Sequence, residues 1–153
     1  MAYQTVFKRY ELKYMLTREQ KNRILKAMAP YMELDRFGRS TIRNVYYDTL
    51  HPVVFLSYER EAYYAKDESD FRVTLDDTIL CRQEDISLES EVYGTPILPE
   101  NVVLMEVKCS GGIPIWMTNV LFGEHIYKTS FSKYGTAYKR IIFPKLKEGT
   151  YHD

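Results

Sequence analysis

The chain has 153 residues, 45% of them apolar and 27% charged, with 21 basic and 21 acidic side chains and a formal net charge of zero. A chain of this size buries a core without disulfide or metal staples, and the lack of an overall basic excess excludes general nucleic-acid coating. No apolar run approaches the roughly 18 residues of a membrane span, and the opening MAYQTVFKRYELKYML lacks the apolar block of a secretory signal, so the expected location is the cytoplasm.

Residues 5–16 alternate, with Lys8, Tyr10, Leu12 and Tyr14 on one side and Phe7, Arg9, Glu11 and Lys13 on the other, the period of a strand whose second face is charged. Thr17 then opens TREQ, a capping box in which Gln20 reaches back to the cap. Ile24, Leu25 and Met28 supply the apolar stripe of a helix ahead of Pro30. STIRNVYYD predicts a second strand over 40–48, and third and fourth strands over 53–64 and 71–78 are joined by the polar hairpin loop AKDESD. The acidic stretch CRQEDISLESEVYGTPILPEN, with one glycine and two prolines, reads as connection. VVLMEVKC is a fifth strand over 102–109, ended by Gly111 and Gly112. Pro114 suits the first turn of a short helix, IWMTNVLF, whose apolar residues read as packing. SFSKYG follows, and TAYKRII is a last helical or extended segment.

Side chains two apart in a strand share a face. Arg9, Glu11 and Lys13 therefore go together, as do Tyr58 and Arg60, then Arg72, Thr74 and Asp76, then Glu106 and Lys108. The opposite faces carry Tyr10, Leu12 and Tyr14, then Phe55, then Phe71, Val73 and Leu75, then Val103, Met105 and Val107. A one-sided antiparallel sheet with a solvated face accounts for any one of these strands alone. The recurrence of cations with a carboxylate on separate strands favours faces that curl together into a polar tunnel, with apolar outer faces under helices. The expected class is thus α+β, an antiparallel β-barrel with flanking helices in one domain spanning 1–153. Like charges ~4 Å apart repel by about 4 kcal/mol at an effective dielectric of 20, so a ring of lysines and arginines calls for an anion. A polyphosphate chain suits it, since arginine forks and lysines match phosphoryl oxygens and an inward glutamate can hold a bridging divalent cation.

Other chemistry is not encoded in the residue spacing. His51, His125 and His152 have no partner at metal-ligand spacing, Cys81 and Cys109 read as buried thiols, and Ser132 has no base nearby in sequence, so donation to phosphate suits it better than nucleophilic attack.

The blocks FKRYELKYML, NVYYDT, FLSYEREAYY, DFRVTLDDTILCR, LMEVK, GGIPIWM and SFSKYG, in this order, resemble the VTC domain. That is the polyphosphate polymerase domain of the vacuolar transporter chaperone family, within the CYTH-like triphosphate tunnel metalloenzymes. The resemblance spans nearly the whole chain. It implies a metal-dependent polyphosphate polymerase: a tunnel that binds the triphosphate of ATP, uses Mn or Mg, and moves a phosphoryl group onto a polyphosphate end, with ATP and polyphosphate as its partners. By this resemblance Lys13 is the first-strand phosphate-binding lysine, Tyr58 and Arg60 lie on the tunnel wall, Glu106 is the metal-binding glutamate, and Ser132 with Lys133 closes one end. Glu11 stands where the wider superfamily has an acidic metal-binding motif, while Arg9, Arg72 and Lys108 join the site from strand facing alone. Lys13, Arg60 and Lys133 form the expected catalytic set. A tunnel-type triphosphatase and a non-catalytic module that binds polyphosphate or a nucleotide are the alternatives. The family carries a long middle section, with an arginine-x-arginine pair and two further lysines, where this chain has only Leu50, His51 and Pro52. Those three make a poor hairpin turn, because none favours positive φ and Pro52 lacks a backbone donor. The resemblance implies that part of the tunnel wall and of its cationic ring is missing.

Overall fold

Alternation and capping place the first two elements. In the computed structural model, which describes residues 8–48 and 51–148, strand β1 (Tyr10–Thr17) runs directly into helix α1 (Arg18–Met28). Thr17 makes the transition possible. Its hydroxyl accepts the Gln20 backbone N–H at 3.1 Å while Gln20 Oε1 accepts the Thr17 N–H at 2.9 Å, satisfying two donors that the helix itself leaves unpaired. Residues 5–7 of the expected first strand lie outside the described residues.

Strand β2 (Met32–Asp48) starts well before the expected 40–48. Gly38, at φ 59°, and a register shift between Leu34 and Arg39 break the period-two pattern, so the sequence alternates cleanly only after them. β3 (His51–Ala65) pairs with β2 from Met32↔Ala65 to Asp48↔His51. Of the expected poor turn at 50–52, residue 50 lies outside the described residues together with 49 and with the side chains of 48, 51 and 52, while the backbone of 51 and 52 opens β3.

β4 (Arg72–Arg82) continues past the expected end at 78 through a β-bulge. Between the pairs Ser57↔Leu80 and Glu59↔Asp77, β3 advances two residues while β4 advances three, and Thr78 takes a left-handed φ of 50°. The extra residue resets the alternation, so Ile79 and Cys81 share a face with Asp76, Thr74 and Arg72. The acidic segment after β4 is largely loop, docked through β5 (Thr95–Pro96), which pairs with β4. β6 (Val102–Cys109) lies where expected, and Pro114 is the N-cap of α2 (Ile115–Gly123). The two-residue strand β7 (Lys128–Thr129) was too short to show in the sequence pattern. The last segment is helical: α3 (Lys133–Ala137), a π-helical turn (Tyr138–Ile142) and α4 (Phe143–Lys147).

The strands form one antiparallel sheet in the order β2-β3-β4-β6-β1-β7, with β5 on β4. The expected barrel is therefore corrected: among the described residues β2 and β7 do not pair, and the sheet is open. Closure needs two edges of matching length, and the two residues of β7 offer almost nothing to the 17 of β2.

One sheet face packs Tyr14, Leu16, Val73, Leu75, Met105 and Val107 against Ile24 and Met28 of α1 and Met117 and Leu121 of α2. The packing reading of IWMTNVLF holds for Trp116, Met117 and Leu121, whereas Ile115 and Phe122 are exposed. The other face is divided. At one end Val54, Leu56, Ile79, Cys81 and Leu104 pack against Ala137 and Ile142 of the C-terminal helical segment. The remainder of that face carries the charges. Cys81 and Cys109 are free and buried, as their sequence context suggests, and burial pushes the Cys81 thiol up to about 11.

Candidate anion-binding site

Strand register assembles the charged face row by row. Arg60 on β3 lies opposite Asp76 on β4, Arg72 on β4 opposite Lys108 on β6, and Lys108 opposite Glu11 on β1. In the adjacent row Thr74 faces Glu106, which faces Lys13. Lys133 arrives from outside the sheet. Ser132 caps α3 by accepting the Gly135 N–H at 3.0 Å, and Lys133, the first residue of that helix, returns its ammonium to the strands.

Four of these groups make a buried tetrad. Asp76, with no exposed surface, accepts Arg60 Nε and Nη2 at 2.7 Å each and Lys133 Nζ at 2.7 Å. Glu106 Oε1 accepts Lys133 Nζ at 2.7 Å, and its Oε2 lies 3.7 Å from Arg60 Nη2 and 3.8 Å from Lys108 Nζ. Two carboxylates and two cations balance, which is the condition for keeping ions out of water. The Tyr58 ring lies beneath both cations, 4.6 Å from Lys133 Nζ and 5.2 Å from the Arg60 guanidinium, and its phenol accepts Asn44 Nδ2 at 3.2 Å.

The electrostatics follow this geometry. Burial opposes the charged form of Glu106, but Lys133, then Arg60 and Lys13, outweigh it and hold the carboxyl below its ordinary value. Burial likewise opposes charge on Lys133 and Arg60, and the carboxylates of Asp76 and Glu106 more than compensate, raising both. Burial raises the phenol of Tyr46, whose ring stacks on Tyr134 with centroids 4.9 Å apart.

An outer set of charges surrounds the tetrad. Lys13 lies 3.4 Å from Glu11, and Lys108 lies 3.9 Å from the same carboxylate. Arg72 stacks on Tyr64 at 4.8 Å, and neither it nor Arg9 makes an ion pair among the described residues. Three cavities adjoin here. One of about 330 Å³ is lined by Arg9, Arg60, Arg72, Thr74 and Lys108, and a second of about 310 Å³ by Lys13, Tyr58, Arg60, Glu106, Ser132 and Lys133. A third, of about 600 Å³, shares Lys13 and Ser132 with the second and adds Glu11 and Lys128. All ten residues singled out in the sequence thus line one or another of three cavities that share wall residues.

Asp76 was seen in the sequence only as a strand-facing partner of Arg72 and Thr74; its burial and its bonds to two separate elements carry no local signal. Tyr46 and Tyr134 line the second cavity too, and the only hint of them was the high total of 14 tyrosines. Asp77, one residue on from Asp76, points through the sheet to the α1 side. There it pairs with Arg39 at 2.5 and 3.1 Å in a cluster with Arg18, Lys21, Glu59 and Glu61.

The carboxylates do not form a metal cage of their own. No group of three His, Cys, Asp or Glu side chains among the described residues could hold an ion. Asp76 accepts three hydrogen bonds from Arg60 and Lys133 and has no exposed surface, and both oxygens of Glu106 face cations. The donor set fits a divalent ion only where phosphate oxygens supply most of its ligands, with Glu106 and the half-exposed Glu11 as the remaining ones.

A family model for the VTC domain matches residues 49–142. The matched span contains Tyr58, Arg60, Arg72, Glu106, Lys108, Ser132 and Lys133. Comparison with curated proteins finds no match.

Proposed function

From the premise that the chain belongs to the VTC domain family, whose theme is polyphosphate, we propose that its ionic face binds linked phosphates and transfers a phosphoryl group from ATP to a polyphosphate end. The observation that carries the reading is the surplus of cations around a balanced tetrad. Arg9, Lys13, Arg60, Arg72, Lys108, Lys128 and Lys133 line the three cavities, against Glu11, Asp35 and Glu106 on the walls and Asp76 buried behind Arg60 and Lys133. The surplus sits on the outer residues, where phosphoryl oxygens can reach it.

The roles follow from position. Lys13 and Lys108 supply point charges on neighbouring strands, and Arg72 supplies a planar fork in the wall of the first cavity. Arg60 gives Nε and Nη2 to Asp76, leaving Nη1 outside that fork. The Ser132 hydroxyl accepts from Gly135 and keeps its O–H to donate. Thr74 lines the first cavity, with its Oγ1 buried and without a partner among the described residues. Lys13, Arg60 and Lys133 hold the phosphates in line for transfer, a reaction in which positioning and charge stabilisation do most of the work. Mn or Mg, arriving with the triphosphate beside Glu106 and Glu11, would neutralise charge on the transferring group.

The open sheet favours one second reading, a module that binds polyphosphate or a nucleotide without turnover, because a trough open to water excludes solvent poorly. Incubation with ATP and Mn, followed by assay of chain products and released phosphate, separates polymerase, triphosphatase and binder. Arg60→Ala is expected to lower turnover and phosphate affinity together. Unaltered activity in that variant sinks the assignment.

A further inference from the structure

Asp76 lies buried beneath the cationic cavity walls, behind Arg60 and Lys133, with no exposed surface. Its two oxygens grip Arg60 through Nε and Nη2, and Oδ2 also takes Lys133, each at 2.7 Å. A guanidinium held through two nitrogens has a single orientation, and an ammonium bonded to both Asp76 and Glu106 loses the freedom of its four-carbon stem. These bonds tie the β3–β4 hairpin to α3, which begins 57 residues after Asp76 at Lys133. With Arg60 and Lys133 on its oxygens and no exposed surface, Asp76 meets cations of the chain itself and faces no cavity.

We propose that Asp76 is a positioning residue of the site: it presets the spacing and orientation of Arg60 and Lys133 so that phosphoryl oxygens meet donors already in place. The proposal rests on the phosphate-binding reading above. It carries a sign that a purely structural role does not. Asp76 is a negative charge inside a site for anions, so its field weakens ground-state binding while its bonds order the cations for the transition state. Removing the charge should therefore separate affinity from turnover.

The test compares the wild type with Asp76→Asn, using calorimetric titration with tripolyphosphate and turnover of ATP with Mn. The expected result is tripolyphosphate affinity equal to or tighter than wild type, with kcat lower on the order of a hundredfold, the cost of misplaced catalytic donors. Parallel loss of affinity and kcat, or no change in either, overturns the proposal. Where the Asn variant does not fold, the wild type decides through the NMR signal of the Arg60 Nε–H. That signal is expected to stay protected from exchange both free and with tripolyphosphate bound, and its loss on binding would show that the anion displaces Asp76. If the protein binds without turnover, the affinity of the variant and the Arg60 signal decide together. Failure of the wild type to bind tripolyphosphate removes the reading of the site and this role with it, whereas wild-type binding with weakened binding in Asp76→Asn removes the role alone.

Discussion

At the scale of single residues, Arg82 shows how a buried cation is kept without a buried acid. Its guanidinium lies between the rings of Phe55 and Tyr93, at 3.8 and 4.0 Å, and donates to the carbonyls of Glu84, Asp85 and Tyr93 at 2.7–3.0 Å. Arg82→Ala leaves those carbonyls without a donor and is expected to cost about 3 kcal/mol, read from urea midpoints, with faster proteolysis between residues 83 and 94. The tetrad behaves differently because its charges titrate. The Glu106 carboxyl is depressed in the folded state, so its contribution is present above the unfolded value of about 4.3 and is lost as pH falls through the folded one. The Lys133 ammonium is raised, so its contribution is complete below about 10.4 and is lost only as pH rises through the folded value. Stability should therefore be flat from about pH 5 to 10 as far as these two groups go, and fall in acid. Glu106→Gln is expected to cost about 3–5 kcal/mol at pH 7, because it leaves cations unpaired, and to flatten the acid limb of stability against pH.

At the scale of elements, two local devices set which side chains reach the site. The Thr17 capping box starts α1 at the end of β1, and Thr17→Ala should cost about 1 kcal/mol in equilibrium unfolding. The Thr78 bulge turns the second half of β4 over, bringing Ile79 and Cys81 under the C-terminal helices while Asp76 stays on the charged face. A β-branched residue at φ 50° is strained, so Thr78→Gly is expected to stabilise the fold by up to about 1 kcal/mol in thermal unfolding. Deleting residue 78 should instead abolish the cooperative transition, because every side chain beyond it would change face. The capping box is legible because its signal lies within four residues. The bulge is not, since nothing in DDTILC distinguishes an extra residue from a regular strand, and the alternation that predicts the fourth strand ends at 78.

For the whole molecule, the net charge of zero conceals a division. Acids crowd at 67–70 and 84–100, and the cations of five separate segments meet at one sheet face. Tripolyphosphate at 100 times its dissociation constant should stabilise the protein by about 2.7 kcal/mol. At a fixed tripolyphosphate concentration that gain, measured as a rise in melting temperature, should shrink with added salt as the outer cations are screened. Lys13→Met and Lys108→Met should each reduce it without lowering the melting temperature of the free protein, since both ammonium groups are only loosely paired at 3.4–3.9 Å.

The sequence by itself determined which residues carry opposite faces of β1, of β4 up to Asp77 and of β6, because period two is a property of the backbone and needs no partner. It also determined the start of α1 and, through blocks such as SYERE and LMEVK, the family. Only the tertiary structure decided that the sheet stays open, since closure depends on whether distant edges match in length, and β2 and β7 do not. It alone decided that Arg60 and Lys133 share one buried carboxylate, because those bonds span segments whose proximity is set by strand order and by the packing of α3.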